Sequence, residues 1–198
     1  MRTRGRQDGF GIVEMLVSVT ILLLAMSGLA TLLIQNARIN KSQQMAADVQ
    51  ANARNCLSMI VQRLRSAGWD PTDNGFAPVV LDPNLLDNIS QIEVFADLDE
   101  PADGDTDDDD EQILIRHINN QIEWRRTSDV TDPFEVLAIN ISNDQDGNGV
   151  PEPMFVPDAN PPNVITVLIT AQSPVVDPVT RDFIRYTVSS DVVLRKTL

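Results

Sequence analysis

The chain has 198 residues, of which 29 are acidic and 15 are basic, so its formal net charge is −14 at pH 7. Such an acidic chain does not bind nucleic-acid phosphates by default, and its single cysteine excludes an intrachain disulfide. The length suits one compact domain in addition to a long apolar segment near the N-terminus.

The first element is a short basic leader followed by a long apolar run. Three arginines within residues 2–6 precede the stretch 11–34, in which Glu14 is the only charged residue. This stretch is long enough to span a bilayer, which needs roughly 20 apolar residues. A carboxylate in such a helix costs roughly 2.5–3.5 kcal/mol on insertion scales, and somewhat less near the interface, so Glu14 needs a partner outside its own helix.

These residues resemble the class III signal of type IV pilins and type II secretion pseudopilins. In that family a short basic leader ends in Gly, the mature chain begins with Phe, and its fifth residue is Glu. Gly9, Phe10 and Glu14 match these positions, whereas Gly11 replaces the commoner Thr or Ser. The resemblance implies that a prepilin peptidase cuts after Gly9 and methylates the Phe10 amine. It also implies that Glu14 neutralises this amine on a neighbouring subunit as a filament assembles.

Two other interpretations of the N-terminal run stay open. An ordinary secretory signal would be cleaved near residues 28–30, but its apolar region would span only roughly 7–15 residues. A plain transmembrane anchor would also fit the length. The basic leader favours a cytoplasmic N-terminus, with the rest of the chain outside. The resemblance implies a single-pass inner-membrane protein with a periplasmic head. The resemblance implies later transfer into a filament, at its tip.

A single helix is predicted from Phe10 to about Ala67, because no proline occurs before Pro71. Its second half places apolar residues three or four positions apart, as one buried face requires, and Cys56 on that face is interpreted as a small buried hydrophobe. Gly68 fits the left-handed position that ends a helix. The predicted organisation is a leader (1–9), a transmembrane or filament-core stem (10–34), an amphipathic half of the helix (35–68) and a β-rich head (69–198).

Residues 64–69, Leu-Arg-Ser-Ala-Gly-Trp, resemble the end of the long helix in the PilW group of minor pilins. This resemblance implies a subunit that primes assembly of a type IV pilus, with other minor and major pilins and an inner-membrane assembly platform as partners. A J-like minor pseudopilin of a type II secretion system shares the leader, stem and head type and stays open. An alternative of a different class is a membrane-anchored calcium-binding protein that never polymerises.

The head is predicted to be one antiparallel sheet that covers the amphipathic half of the helix, which gives an α+β, pilin-like fold. Asn119-Asn120 is expected to turn one strand back onto the next as a hairpin. His117 lies in a strand and is interpreted as structural or solvent-facing. The predicted strands are 92–96, 112–118, 121–126, 134–142, 164–170 and 183–194.

Two acidic loops carry the candidate site chemistry of the head. Calcium takes six to eight oxygen ligands, mostly carboxylates and carbonyls, and alternate acidic positions on a turning backbone can supply them. Neither loop is an EF-hand, because neither ends in the bidentate Glu of that motif. The candidate calcium ligands are Asp97, Asp99, Asp103, Asp105 and Asp107 in the first loop, and Asp144, Asp146 and Asn148 in the second.

The same loop residues also suit solvated turns without a metal, because Asp, Asn and Gly tolerate positive φ. Some pseudopilin heads bind calcium, but the resemblance identifies no ligand here. Calcium is therefore a candidate ligand that would order the head, and no cofactor is required. The sequence has no Walker loop, dinucleotide fingerprint, Gly-x-Ser-x-Gly motif or Cys/His zinc set, so no enzyme is predicted.

Overall fold

The computed structural model describes residues 11–81, 90–99, 102–108, 110–126, 129–158 and 163–195. One helix, α1, spans Ile12–Ser66, and its 55 residues reach about 80 Å at 1.5 Å per residue. The strands within these ranges are β1 (Val79–Leu81), β2 (Gln91–Phe95), β3 (Gln112–Ile118), β4 (Gln121–Arg125), β5 (Glu135–Ile139), β6 (Phe155–Pro157), β7 (Val164–Gln172) and β8 (Arg185–Val193).

Only the second half of α1 packs against the head. Every side chain of residues 11–41 is exposed, whereas the residues from Val49 onward alternate between buried and exposed with the helical period. The predicted amphipathic face is therefore confirmed, and Cys56 is buried on it. The predicted start at Phe10 lies outside the described residues. The buried residues of α1 are Val49, Ala53, Cys56, Leu57, Ile60, Val61 and Leu64.

The end of α1 is joined directly to the sheet. Gly68 has φ +73, the left-handed conformation predicted for it, which a residue with a Cβ rarely adopts. Its N–H donates to the carbonyl of Phe95, the last residue of β2, at 2.9 Å. The N–H of Asp97 donates to the carbonyl of Trp69, also at 2.9 Å. The residues that follow β2 are thereby held against the exit of the helix.

All the strand pairs in the described ranges are antiparallel, so the predicted α+β, pilin-like fold is confirmed. The strands form two sheets, however, of order β1-β2-β3-β4-β5 and β6-β7-β8, whereas one sheet was expected. The strand predicted at 134–142 ends at Ile139, because Asn140 has φ +59 and interrupts the ladder. α1 packs mainly against β7 and β8 of the second sheet.

The hairpin between β3 and β4 has the predicted turn. Asn119 and Asn120 have φ of +52° and +60°, the left-handed pair typical of a type I′ turn, and Ile118 pairs with Gln121 across it. Successive side chains of a strand point to opposite faces of the sheet, and one of these faces is buried, as Ile113 and Ile115 in β3 illustrate. These inner faces and the buried stripe of α1 enclose the core of the head.

Candidate functional site

The first candidate site is the exposed apolar stem at the start of α1. Within the described residues, α1 is a helix long and apolar enough to cross a membrane, and its most apolar window has a mean hydropathy of 2.3 with no part buried. The hydroxyls of Ser18, Thr20 and Thr31 donate to carbonyls four residues earlier at 2.8–2.9 Å. These polar groups are therefore satisfied inside the helix, which makes the stem compatible with apolar surroundings.

Glu14 lies in the first turn of α1, where its N–H donates to the carbonyl of Gly11 at 3.0 Å. Its side chain is exposed, and among the described residues none pairs with its carboxylate. Gly9 and Phe10, the predicted processing residues, lie outside the described part of the chain. The arrangement leaves the Glu14 carboxylate accessible to a group on another molecule.

The second candidate site is the acidic loop between β2 and β3, which folds against the residues that follow α1. Asp97, Asp99 and Asp103 each offer a carboxylate oxygen, and these oxygens lie within 4.8 Å of one another. Asp97 is fully buried, and the N–H of Gly104 donates to its Oδ2 at 3.0 Å. The side chain of Asn74 donates to the Gly104 carbonyl at 2.6 Å, which closes the loop over Asp97.

Glu111, at the other end of the loop, is a further buried carboxylate next to this acidic group. Its side chain is only 2 % exposed, and its Oε1 accepts hydrogen bonds from the N–H groups of Leu98 at 2.7 Å and Asp99 at 3.1 Å. Glu111 was not among the predicted ligands. The N–H of Ala96 donates to the backbone carbonyl of Glu111 at 3.0 Å, which joins the two ends of the loop.

Among the described residues of this loop, three buried carboxylate oxygens have no hydrogen-bond partner. They are Oδ1 of Asp97, Oδ1 of Asp99 and Oε2 of Glu111. Burial raises the pKa of Asp97, and the neighbouring carboxyls of Asp99 and Glu111 raise it further, although the bond from Gly104 opposes the change. Asp99 and Glu111 therefore disfavour the negative charge of Asp97.

In the part of the chain that the structure describes, arginine side chains of the head form ion pairs with carboxylates outside this buried group. Arg63 and Arg126 approach Oδ1 of Asp110 at 3.8 and 3.5 Å, and no described Lys or Arg forms an ion pair with the buried group of Asp97 and Glu111. The negative charge of that group is thus not neutralised by a described side chain.

The structure brings together three of the five ligands predicted for this loop. The other two, Asp105 and Asp107, are exposed and lie outside the group. Each takes part in a chain of local turns, in which the N–H of Asp105 donates to Asp103 at 3.2 Å and that of Asp107 donates to Asp105 at 3.3 Å. The neighbouring Asp105 carboxyl raises the pKa of Asp107.

The second acidic loop, between β5 and β6, satisfies its central carboxylate from within the protein. Asp144 is 5 % exposed, its Oδ1 accepts the N–H of Gly147 at 2.8 Å, and its Oδ2 accepts that of Gly149 at 3.1 Å. The guanidinium of Arg185 lies 4.0 Å from Oδ2 of Asp144. Backbone donors and one cation thus already surround this carboxylate.

The remaining groups of the second loop are also bonded locally. Asn148 donates to both oxygens of Asp146, from its N–H at 3.0 Å and from its side chain at 2.8 Å. Glu152 lies close enough to join Asp144 and Asp146 in a second acidic group, but its Oε2 accepts the N–H of Gln145 at 2.7 Å. Calcium binding at this loop stays a prediction.

Comparison with known proteins identifies the N-terminal segment. Residues 4–30 match the family model described as the prokaryotic N-terminal methylation motif. This motif is the class III prepilin signal, and the match is consistent with the type IV pilin and pseudopilin family. No curated protein and no solved structure matches the chain.

The chain thus carries a prepilin signal in front of a pilin-like α+β fold. The motif implies processing by a prepilin peptidase and assembly with other pilins, and it indicates a structural subunit rather than an enzyme. Together with the apolar helix, it supports a membrane-anchored pilin.

Proposed function

We propose that this protein is a PilW-like minor pilin of a type IV pilus, cut after Gly9, methylated on Phe10 and assembled through its stem. The observation that carries the proposal is the prepilin signal followed by an exposed apolar helix with one carboxylate in its first turn. Lipid tails and a packed core of similar stems are both apolar, so the same surface suits the membrane and the filament.

Glu14 is proposed to fix the position of each subunit against its neighbour. A carboxylate surrounded by apolar stems is strongly unfavourable unless a cation meets it, because desolvation disfavours the charged form. The methylated amine of Phe10 on an adjacent subunit supplies that cation. The absence of a partner for Glu14 among the described residues of its own chain supports pairing between subunits.

The head would face outward from the filament, because only the second half of α1 is covered by it. Residues 64–69, in which Gly68 ends the helix, support the PilW-like assignment over the J-like pseudopilin. In either system the prepilin first waits in the inner membrane with its head in the periplasm. The minor-pilin role places it at the tip, where it primes assembly.

The test is complementation of a strain that lacks this gene. Wild type, Glu14→Ala and the control Ser18→Ala would be expressed at equal levels in the membrane, and surface pili and type II secretion would both be measured. Ser18 is a suitable control because it lies one turn further along the stem and its hydroxyl bonds only to the helix backbone. Wild type and Ser18→Ala are expected to restore pili, whereas Glu14→Ala is not.

The other outcomes separate the remaining alternatives. Loss of secretion with normal pili would assign the protein to a type II secretion pseudopilus. Full assembly by Glu14→Ala would contradict the role of Glu14. No defect in either system in the strain without the gene would favour a membrane-anchored protein that does not polymerise.

A further inference from the structure

We propose that the loop between β2 and β3 is a calcium site in which Asp97, Asp99 and Asp103 supply the carboxylate ligands and the buried Glu111 adds negative charge beside them. The site is on the head, at the far end of α1 from the stem, so it is separate from the assembly function of Glu14.

The first argument is the set of unpartnered oxygens. Asp97 and Glu111 are 0 % and 2 % exposed, and within the described residues each has one carboxylate oxygen that receives no hydrogen bond, as does Asp99. A buried acceptor without a donor loses its hydration and gains nothing in return. A cation bound by the carboxylates of Asp97, Asp99 and Asp103 would place a positive charge in this group and offset the repulsion between the carboxylates.

The second argument is the spacing of the ligand atoms. Oxygens bound to the same calcium ion at about 2.4 Å are at most about 4.8 Å apart. The carboxylate oxygens of Asp97, Asp99 and Asp103 lie within 4.8 Å of one another, which meets this limit without rearrangement of the loop.

The third argument is the contrast with the loop between β5 and β6, which has a similar composition. There the central carboxylate, Asp144, receives N–H groups of Gly147 and Gly149 and lies beside Arg185. In the loop between β2 and β3, the matching fully buried carboxylate, Asp97, receives from the described residues only the N–H of Gly104. The loop between β2 and β3 therefore still has carboxylate oxygens that could coordinate a cation.

Calcium at this position would tighten the loop against the end of the helix. Asp97 is bonded to the carbonyl of Trp69, and Gly104 to the side chain of Asn74, so two ligand-bearing segments are already attached to the helix exit. Binding is therefore expected to stabilise the whole head rather than the loop alone, because a ligand that binds only the folded state shifts the unfolding equilibrium.

The experiment uses the full-length protein in detergent after removal of divalent cations with a chelator. Calcium chloride is titrated by calorimetry, and melting temperature is measured with and without calcium. The wild type is expected to bind calcium at one site, with a rise in melting temperature of about 5 °C or more at saturation. Binding of terbium, detected by luminescence sensitised through nearby Trp69, is expected to be displaced by calcium.

Two variants test the carboxylates of this site and two serve as controls. Asp99→Asn and Glu111→Gln keep the shape of the side chain and remove one charge, and each is expected to weaken calcium binding at least tenfold. Asp99 is only half-buried, so that variant is informative even if Glu111→Gln fails to fold. Asp108→Asn, exposed in the same loop, and Asp146→Asn, exposed in the second loop, are expected to leave binding unchanged.

Absence of both heat and a melting-temperature shift in the wild type would overturn the proposal. Loss of binding in Asp146→Asn but not in Asp99→Asn would place the ion in the other loop and also overturn it. Equal effects of magnesium and calcium would indicate general screening of acidic charge, with no specific site.

Discussion

The imidazole of His117 donates its Nε2–H to the carbonyl oxygen of Ile141 at 2.7 Å. Ile141 in turn forms an isolated bridge to Ala171 in β7, so this bond lies where the chain passes from the first sheet to the second. A carbonyl can only accept, which fixes Nε2 as the protonated nitrogen of the neutral ring. His117 is therefore structural, in agreement with its interpretation from the sequence.

This arrangement predicts a loss of stability on acidification. Burial lowers the pKa of His117 below its usual 6.5, and the bond to Ile141 opposes the shift only in part. As pH falls through 6.5, the unfolded chain gains a proton at His117 before the folded protein does, so the free energy of unfolding decreases until the lower folded pKa is reached.

The measurement is the melting temperature at about pH 7.5 and about pH 5.5 for the wild type and for His117→Gln, whose amide can still donate to Ile141. The wild type should lose more stability than the variant over this range. The carboxyl groups are the same in both proteins, so their contribution cancels in the comparison. Equal pH dependence in the two proteins would contradict the assigned role of His117.

Gly104 predicts a second stability effect, in the loop that closes over Asp97. It has φ +92, and a Cβ at this position would clash with Nδ2 of Asn74 and lie 2.7 Å from Oγ1 of Thr72. Gly104→Ala is therefore expected to destabilise the head by about 2–3 kcal/mol, from backbone strain and from loss of the Asn74 bond. Chemical denaturation of the full-length protein would measure it.

A matched control for Gly104→Ala is available nearby. Gly75 also has positive φ, of +83, but a Cβ there would meet nothing within 4 Å. Gly75→Ala should cost only about 1 kcal/mol, which is the strain of the left-handed conformation alone. If the two variants had the same free energy of unfolding, the close approach of Asn74 to Gly104 would make no contribution to the cost of Gly104→Ala.

Cys56 provides a test of the packing between α1 and the head. It is 2 % exposed, and burial raises the pKa of its thiol to about 12. At about pH 8 the thiolate fraction is then on the order of 10⁻⁴, so iodoacetamide should leave the folded protein unlabelled while it labels the denatured chain fully. Similar labelling rates in the two states would show that this part of the helix is not packed as described.

Local chemistry explains which parts of this fold could be predicted from the sequence. Gly68 and the Asn119-Asn120 pair specify their backbone conformations through residues that tolerate positive φ, and both were predicted correctly. The apolar period of α1 likewise marks its buried face. These signals depend on a few adjacent residues and on no distant contact.

The features that were missed depend on distant contacts. The division into two sheets depends on which strands pair across the fold, and the edge strands β1 and β6 have only three residues each. Glu111 became visible as part of the buried acidic surroundings only when its bonds to Leu98 and Asp99 placed it beside Asp97. A run of acidic letters does not indicate which carboxylates face inward.

The most direct test of the account is intact-mass and N-terminal analysis of the protein extracted from membranes of cells that contain prepilin peptidase. The account predicts a mature chain that begins with N-methylated Phe10, and retention of the leader in cells without the peptidase. A chain that begins at Met1 in both strains would indicate a plain membrane anchor. A start after Ala30 would indicate a secreted protein without a stem, and either result would contradict assembly through Glu14.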